Sequence, residues 1–435
     1  MTFDLVILGH GVGRVYELPI PLWAYLGGAA ATVLASFLVR AFSRTTRPIP
    51  NERRIAGAGV GRGVVLFLRA LALVLLTLAI VAGLVLREEG NTAATLIFWV
   101  AFIIGVTALS AIVAGVWAAA NPWATIERFY RIGDTDVTPR TPPAWLGPVL
   151  VYALFWFELA SGADRDPFWV VAALIGYSLY SFTCRAAFGP RWDLADPLAI
   201  LFGFAERSAP LRLGEDGVFY KGPLRGLEQT EPMPVGLYAS VFVLLGATTF
   251  DNLSETVGWG NFLMSTGLDG LPTLLRDTVA LAVLALPFLV TFMAAVWIAH
   301  RWIDRSKPLM HMARYLGWSL IPIGVAYVLA HNTPLLITGV PELVRALSDP
   351  FDRGWNLIGT SDAFLGFAAS PKLVWFLEIA FIVIGHIVAV MAAHRAAVRL
   401  SASHEAAVNS QYALTVLMSG YTITTLWLLA QPLVR

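Results

Sequence analysis

Carboxylate and imidazole side chains lie in or beside the long apolar stretches of this sequence, where they could bind a cation or carry a proton. The clearest case is the run Val374–His394, which contains Glu378 and His386 and ends at His394. An ionisable group at bilayer depth costs at least about 2.5 to 3.5 kcal/mol, so it is rare without a partner or a function. We therefore expect this run to face other helices rather than lipid.

Several other ionisable residues are predicted to share one depth near the outer surface of a membrane. At about 1.5 Å per helical residue, Glu378 lies roughly 8 Å below the outer start of its helix. His386 lies deeper, near the middle. The residues that fall at predicted outer helix ends, or just outside them, are His10, Glu158, Asp251, Glu255 and His331.

These residue types suit a divalent metal ion, because zinc, manganese and iron(II) accept carboxylate oxygen and imidazole nitrogen. A bound ion lowers the pKa of its water toward about 7, and the hydroxide could attack a phosphorus or acyl centre. Asp251, His331 and Glu378 are the candidate catalytic groups. The candidate metal ligands are those three together with His10, Glu255 and His386.

Spacing limits this metal hypothesis. The sequence contains no contiguous metal-binding motif. Asp251 and Glu255 are four residues apart and share a face only if that stretch is helical. Glu378 and His386 are eight residues apart, or about 12 Å along a helix, so they cannot bind the same ion.

A second hypothesis is a permease in which Glu378 and His386 form a proton or cation relay. Their positions at successive depths of one predicted helix favour the relay, whereas the spread of acids and histidines over several helices favours a hydrolase. Structural roles are also open. Asp251 could form a helix cap or an Asx-turn, and His386 could hydrogen-bond a facing helix.

Composition places the chain in the membrane class. Of its 435 residues, 57% are hydrophobic and 14% are charged, whereas a soluble domain has about 25% charged residues. The net charge of +1 gives no basic field for nucleic acid. The single cysteine, Cys184, excludes an intramolecular disulfide and a cysteine-based zinc site. Residues 1–10 lack a basic region, so we expect no cleaved signal peptide.

We predict an all-α polytopic transmembrane bundle of about ten spans, as one integral membrane domain over residues 1–435. A span needs about 20 mainly apolar residues. The predicted spans are Pro21–Leu38, Val64–Leu86, Thr95–Ala118, Trp145–Leu159, Phe168–Phe182, Val235–Thr249, Val279–Ile298, Gly317–Thr333, Leu373–Ala393 and Ala413–Ala430.

Basic residues predict the orientation. Arginine and lysine concentrate in alternate loops, at 40–62, 128–140, 185–225, 301–314 and 395–399. By the positive-inside rule these loops face the cytoplasm and both termini face outward. The expected location is the cell (inner or plasma) membrane, as a multi-pass protein. His300, His311, His394 and His404 then fall at the inner, headgroup-facing side.

Three loops are long enough to have their own structure. In the inner loop 185–232, Asp196 before Pro197 predicts a helix start, and the apolar run that follows predicts an interfacial helix. The stretch Gly217–Gly222 fits a short hairpin or only a turn. The outer loops 251–277 and 341–372 lack obvious secondary structure, which is typical of lids or binding loops.

Several passages resemble a family of polytopic bacterial membrane proteins named fenitrothion hydrolases. They occur in the family's order over most of the chain, and they are His10-Gly11, Leu18–Trp23, Thr249–Thr256, Ala330-His331, Leu335-Leu336, Gly385-His386, Ala393–Arg395, Ser410–Tyr412, Gly420–Thr422 and Leu426–Leu428.

The resemblance implies a membrane-embedded enzyme that hydrolyses the aryl phosphate ester of organophosphates such as fenitrothion. The ionisable positions inside the matched passages include His10, Asp251, Glu255, His331 and His386. Glu158 and Glu378 lie outside those passages and depend on the depth argument alone. The partners expected are the lipid bilayer, a small apolar substrate and a second membrane subunit, without nucleic acid.

Overall fold

The chain folds as an all-α polytopic bundle. The computed structural model describes residues 21–42, 51–86, 90–130, 140–228, 231–303, 306–360 and 370–431. Within these residues, eight helical segments are long and apolar enough to cross a membrane, and two shorter apolar helices are Leu22–Leu38 and Leu146–Leu159. Each of the ten predicted spans overlaps one of these ten segments.

The helices in the first half of the chain are α1 Leu22–Phe42, α2 Ala58–Val85, α3 Ala93–Leu96, α4 Val106–Ile112, α5 Val116–Ala120, α6 Pro122–Tyr130, α7 Leu146–Leu159, α8 Pro167–Phe188 and α9 Pro197–Arg207. Those in the second half are α10 Val235–Ser254, α11 Val257–Thr266, α12 Thr273–Val283, α13 Ala285–Ala299, α14 Leu309–Leu316, α15 Ile321–His331, α16 Thr333–Ser348, α17 Pro371–Leu400 and α18 His404–Leu429. A π-helix, Ile97–Gly105, joins α3 to α4.

The third predicted span, Thr95–Ala118, is not one continuous helix. It ends at Ile112 and passes into a short strand, β2 (Val113–Ala114), before α5 begins. Gly115 makes this break possible, because its φ is 89°, a region that favours glycine. A Cβ at Gly115 would also lie 2.3 Å from the Leu213 carbonyl oxygen. The span therefore bends where backbone from another segment approaches it.

The predicted hairpin in the inner loop is present. Strands β3 (Leu211–Gly214) and β4 (Gly217–Tyr220) pair antiparallel, and β1 (Arg53–Ala56) and β2 extend them to a sheet with the order β1-β4-β3-β2. Arg69 on α2 binds this hairpin, since its Nη2 lies 2.7 Å from Glu215 Oε1 in the hairpin turn.

The helix predicted after Asp196 also forms, but its location differs from the prediction. Asp196 Oδ1 accepts a hydrogen bond from the Ala199 amide at 2.8 Å, and Pro197 is the first helical residue. No residue of α9 is exposed, and α9 packs against α4, α7 and α15. An interfacial helix keeps a polar face in water, so α9 belongs to the packed bundle instead.

The two outer loops contain more helix than predicted. The segment 251–277 holds the end of α10, all of α11 and the start of α12, while α16 runs through Pro341. Residues 361–369 of the second loop lie outside the described residues.

Helix α17 is the central element, packed against α1, α15 and α18. Gly385 allows the close approach of α15, because a Cβ there would lie 2.8 Å from the Pro322 carbonyl oxygen. Small residues at such contacts are typical of membrane helix packing, where dispersion contacts replace the hydrophobic effect as the driving force. Glu378, His386 and His394 are therefore carried through the middle of the bundle.

Candidate functional site at the outer end of the bundle

One end of the bundle gathers most of the ionisable residues predicted from sequence. Helices α1 and α17 begin there, and α7, α10 and α15 end there. The charge pattern predicts that this end faces away from the cytoplasm, and we call it the outer end. Its polar residues form what we call the outer cluster: Tyr25, Glu158, Asp251, Glu255, His331 and Glu378.

The sequence suggests that Asp251 lies just beyond the end of a helix. The structure places it inside the helix instead. Helix α10 continues to Ser254, and Glu255 is its C-cap residue. The condition for Asp251 and Glu255 to share a face is therefore met, because residues four apart are neighbours on a helix surface. The next helix starts at once, with Thr256 Oγ1 accepting a hydrogen bond from the Trp259 amide at 3.1 Å.

The closest contact in the outer cluster joins α10 to α15. His331 Nε2 lies 2.9 Å from Asp251 Oδ2, and the two side chains are only 9% and 16% exposed. This is a close charge contact and not a well-aligned hydrogen bond; a carboxylate beside Nε2, which can only accept, favours the tautomer with the proton on that nitrogen. The lone pair of neutral His331 is then on Nδ1.

Three further carboxylates surround this pair. His331 interacts electrostatically with Glu255 and Glu158 as well as with Asp251. Glu378 on α17 is half-buried and also interacts with His331. The cluster therefore brings four acids from three helices around a single imidazole, and its charge is predominantly negative.

Aromatic side chains close the cluster on the α1 side. Tyr25 interacts electrostatically with Glu378, and its ring centroid lies 4.9 Å from that of Trp375. Both residues are buried, at 3% and 6% exposure. Among the described residues, neither Tyr25 Oη nor Trp375 Nε1 has a hydrogen-bond partner. Buried polar groups are nearly always paired, so these two donors point to a bound molecule or water at this place.

Tyr327 adds a second hydroxyl to the same region. It lies one turn before His331 on α15, is buried, and interacts electrostatically with Asp251 and Tyr25. The sequence analysis missed Tyr25, Tyr327 and Trp375, because an aromatic residue near a span end is ordinarily an interfacial anchor. Only their burial distinguishes them.

One predicted site residue, His386, is not part of the outer cluster. His386 lies two turns below Glu378 and is 1% exposed, and its Nδ1 lies 2.9 Å from the Ile382 carbonyl oxygen. His10 lies outside the described residues. The prediction that His394 faces lipid headgroups is wrong, since His394 is 2% exposed and contacts Gln411.

The predicted metal centre lacks a complete ligand set in the described part of the chain. No group of three histidine, cysteine, aspartate or glutamate side chains there could hold a metal ion. A catalytic zinc site needs three protein ligands, whereas only Asp251 and His331 are in direct contact. The described residues alone therefore do not assemble a three-ligand site, the metal ion stays a prediction, and the chemistry of this site is derived below from its own side chains.

Comparisons of this chain with protein-family models, with curated proteins and with solved structures find no match. The assignment of a function therefore depends on the site itself.

Proposed function

We propose that the outer cluster is the catalytic site of a membrane-embedded hydrolase that acts on neutral, apolar phosphotriesters of the fenitrothion type. The observation that supports this most directly is the contact between His331 Nε2 and Asp251 Oδ2. A carboxylate that orients an imidazole is the usual arrangement of a general base in hydrolases, although it occurs on many unrelated folds.

In the proposed reaction His331 activates water. Nδ1 takes a proton from the water as its oxygen bonds to phosphorus, and Asp251 stabilises the imidazolium that forms. The bond from phosphorus to the aryloxide then breaks, and His331 returns the proton to the leaving oxygen. The products are a phosphodiester and a phenol, and no oxidant or reductant is needed.

The unpaired donors suggest where the substrate binds. Tyr25 Oη and Trp375 Nε1 are buried and lack partners among the described residues, so either could donate a hydrogen bond to the phosphoryl oxygen of a triester, or to the sulfur that replaces this oxygen in fenitrothion. Such donors stabilise charge that develops on this oxygen in the transition state. Glu378, beside Tyr25 and His331, would fix the position of the tyrosine or of the water.

Charge supports a neutral substrate. The carboxylates of Glu158, Asp251, Glu255 and Glu378 would repel an anionic phosphodiester. This repulsion would weaken the binding of a diester substrate. It would also assist the release of the diester product. An uncharged triester has no such penalty.

The surroundings support access from the lipid. Helix α11 contains no charged residue, and its side chains Phe262 and Met264 are exposed. It begins two residues after Glu255, so apolar surface adjoins the outer cluster. Apolar surfaces such as this one, including those of α2 and α13, could contact lipid or a second membrane subunit. The basic inner loops support placement in the cell (inner or plasma) membrane.

Hydrolysis of fenitrothion by the purified protein in detergent micelles, followed by the absorbance of the released nitrophenol, tests this function. We expect Asp251→Asn and His331→Gln to lose activity while keeping their unfolding temperatures near that of the wild type. Asp269→Asn is the matched control, because Asp269 is an exposed outer aspartate in the 3₁₀ segment Leu268–Gly270. Absence of hydrolysis by the wild type, or full activity of both site variants, would refute the proposal.

A further inference from the structure

We propose that α17 and α18 enclose a proton path that runs from the middle of the bundle to its inner end, with His386 and His394 as the carriers. This function goes beyond hydrolysis and uses residues that the outer cluster does not. It involves movement of protons only, so no bond other than those to hydrogen forms or breaks.

His386 is an uncommon group to bury in a membrane helix. Its Nδ1 lies 2.9 Å from the Ile382 carbonyl oxygen, and a carbonyl only accepts, so Nδ1 carries the proton. The lone pair of the neutral ring is then on Nε2. His386 is 1% exposed, and Nε2 has no hydrogen-bond partner among the described residues. Leaving a buried base without a partner costs free energy. A function in which Nε2 receives a proton would explain why this cost is tolerated.

His394 is held in the same tautomer by a different partner. Gln411 Nε2 donates to the Ala407 carbonyl oxygen at 2.7 Å, which identifies Oε1 as the acceptor that faces His394. His394 Nδ1 lies 3.1 Å from this Oε1 and therefore carries the proton. The lone pair of His394 is again on Nε2. The ring of His404, the first residue of α18, lies 6.2 Å from that of His394.

The pairing of α17 with α18 places hydroxyl groups between the two histidines. The helices are antiparallel, since His394 near the end of α17 contacts Gln411 near the start of α18. Counting eight residues back along α17 from His394 and eight residues forward along α18 from Gln411 brings His386 and Ser419 to the same depth. Ser419 is buried, and its Oγ, like His386 Nε2, has no partner among the described residues.

Other buried polar residues continue this side of α18. Thr415 lies between Gln411 and Ser419, one helical turn from each, and Thr422 lies one turn beyond the depth of His386. Thr422 Oγ1 donates to the Met418 carbonyl oxygen at 2.8 Å, as hydroxyls in membrane helices commonly do, whereas Ser419 Oγ has no such partner among the described residues. As proton donors and acceptors these hydroxyls would connect His386 to His394, which lie about 12 Å apart along α17.

Charged groups lie near both ends of the path. At the inner end, Arg395 and Arg399 on α17 both pair with Glu228. Arg395 follows His394 directly and Arg399 lies five residues on, and their positive charge opposes the formation of imidazolium at His394. At the outer end, Glu378 is the ionisable residue of α17 nearest to His386, about 12 Å away. His386 would gain and release its proton at Nε2, while its Nδ1 keeps the Ile382 carbonyl oxygen as acceptor.

Proton flux into liposomes that contain the purified protein tests the path. A pH-sensitive dye inside the vesicles reports acidification when a potassium gradient with valinomycin sets the inside negative. We expect wild-type flux well above that of empty liposomes, and its loss in His386→Gln, whose amide cannot carry a proton. His311→Gln on α14 is the matched control, since His311 lies outside the α17–α18 contact.

Ser419→Ala separates a proton path from a packing role. It removes only an unpaired hydroxyl, so folding should be unaffected while flux decreases. Flux at the level of empty liposomes in the wild type, or wild-type flux in both His386→Gln and Ser419→Ala, would overturn the proposal. Fenitrothion hydrolysis should persist in both variants, so failure of the path and failure of the hydrolase are distinguishable.

Discussion

A Cβ placed on Gly385 would lie 2.3 Å from the Cβ of Ala326, so α15 and α17 touch where neither can carry a larger residue. This contact positions His331 and Tyr327 of α15 relative to Glu378 and His386 of α17. The outer cluster and the buried histidine therefore share one packing constraint, which lies at the residue next to His386.

Gly385→Ala should therefore destabilise the protein. Overpacking by one methyl group in a close-packed contact costs about 1 to 3 kcal/mol, and we expect a lower unfolding temperature in detergent. Gly420→Ala is the control. Its Cβ would meet nothing within 4 Å, so alanine in that helix should be neutral or slightly stabilising. Equal effects of the two substitutions would contradict the close approach.

Tyr25→Phe should separate function from folding. The Tyr25 hydroxyl is buried without a partner among the described residues, so its removal should leave stability unchanged or raise it by about 1 to 3 kcal/mol. If the hydroxyl binds substrate, hydrolysis should decrease in the same variant. Tyr421→Phe provides the comparison, because the Tyr421 hydroxyl is bonded to Thr291 Oγ1 at 2.7 Å, and its loss should destabilise instead.

Asp251→Asn should reduce turnover far more than substrate binding. An asparagine in this position keeps the shape of the site but cannot stabilise imidazolium. A general base contributes about 10²- to 10⁴-fold to rate, so we expect a decrease of this order in kcat with little change in KM. Steady-state kinetics with fenitrothion measure both. A change confined to KM would instead assign Asp251 to substrate binding.

Glu228 should stabilise the inner end through two arginines of α17. Arg399 Nη2 lies 3.0 Å from Glu228 Oε1, and Arg395 contacts the same oxygen. Glu228→Gln would leave two partly buried cations close together, and a loss of about 1 to 3 kcal/mol is expected, below the range for fully buried pairs. Glu215→Gln removes an exposed pair with Arg69 and should cost less than about 1 kcal/mol. Chemical denaturation of both variants would show whether this order holds.

The predicted orientation can be tested without purification. The ten predicted spans would place both termini on the same side, and the basic loops predict that this side is outside. A periplasmic alkaline phosphatase fused after Arg435 should therefore be active, and a cytoplasmic reporter at the same position should be silent. The opposite pattern would place the outer cluster at the cytoplasmic face.

The sequence by itself determined the architecture and grouped the candidate site residues by depth. Apolar runs of about 20 residues leave little choice but a membrane helix, since every backbone polar group must be paired within the segment. Ten such runs were predicted and ten apolar helical segments are present. Depth along each run also placed Glu158, Asp251, Glu255, His331 and Glu378 in one layer. The prediction of that layer needed no tertiary information, because depth follows from residue count.

The tertiary structure decided which residues of that layer meet. Which face of a helix is turned inward depends on packing with helices far away in sequence, and an apolar span has little amphipathic signal to reveal it. The Asp251–His331 contact, the burial of Tyr25 and Trp375, and the separation of His386 from the outer cluster could therefore be known only from the fold. The burial of α9 and of His394 could not be predicted either, because it also depends on packing with distant helices. The sequence around both is typical of a surface segment.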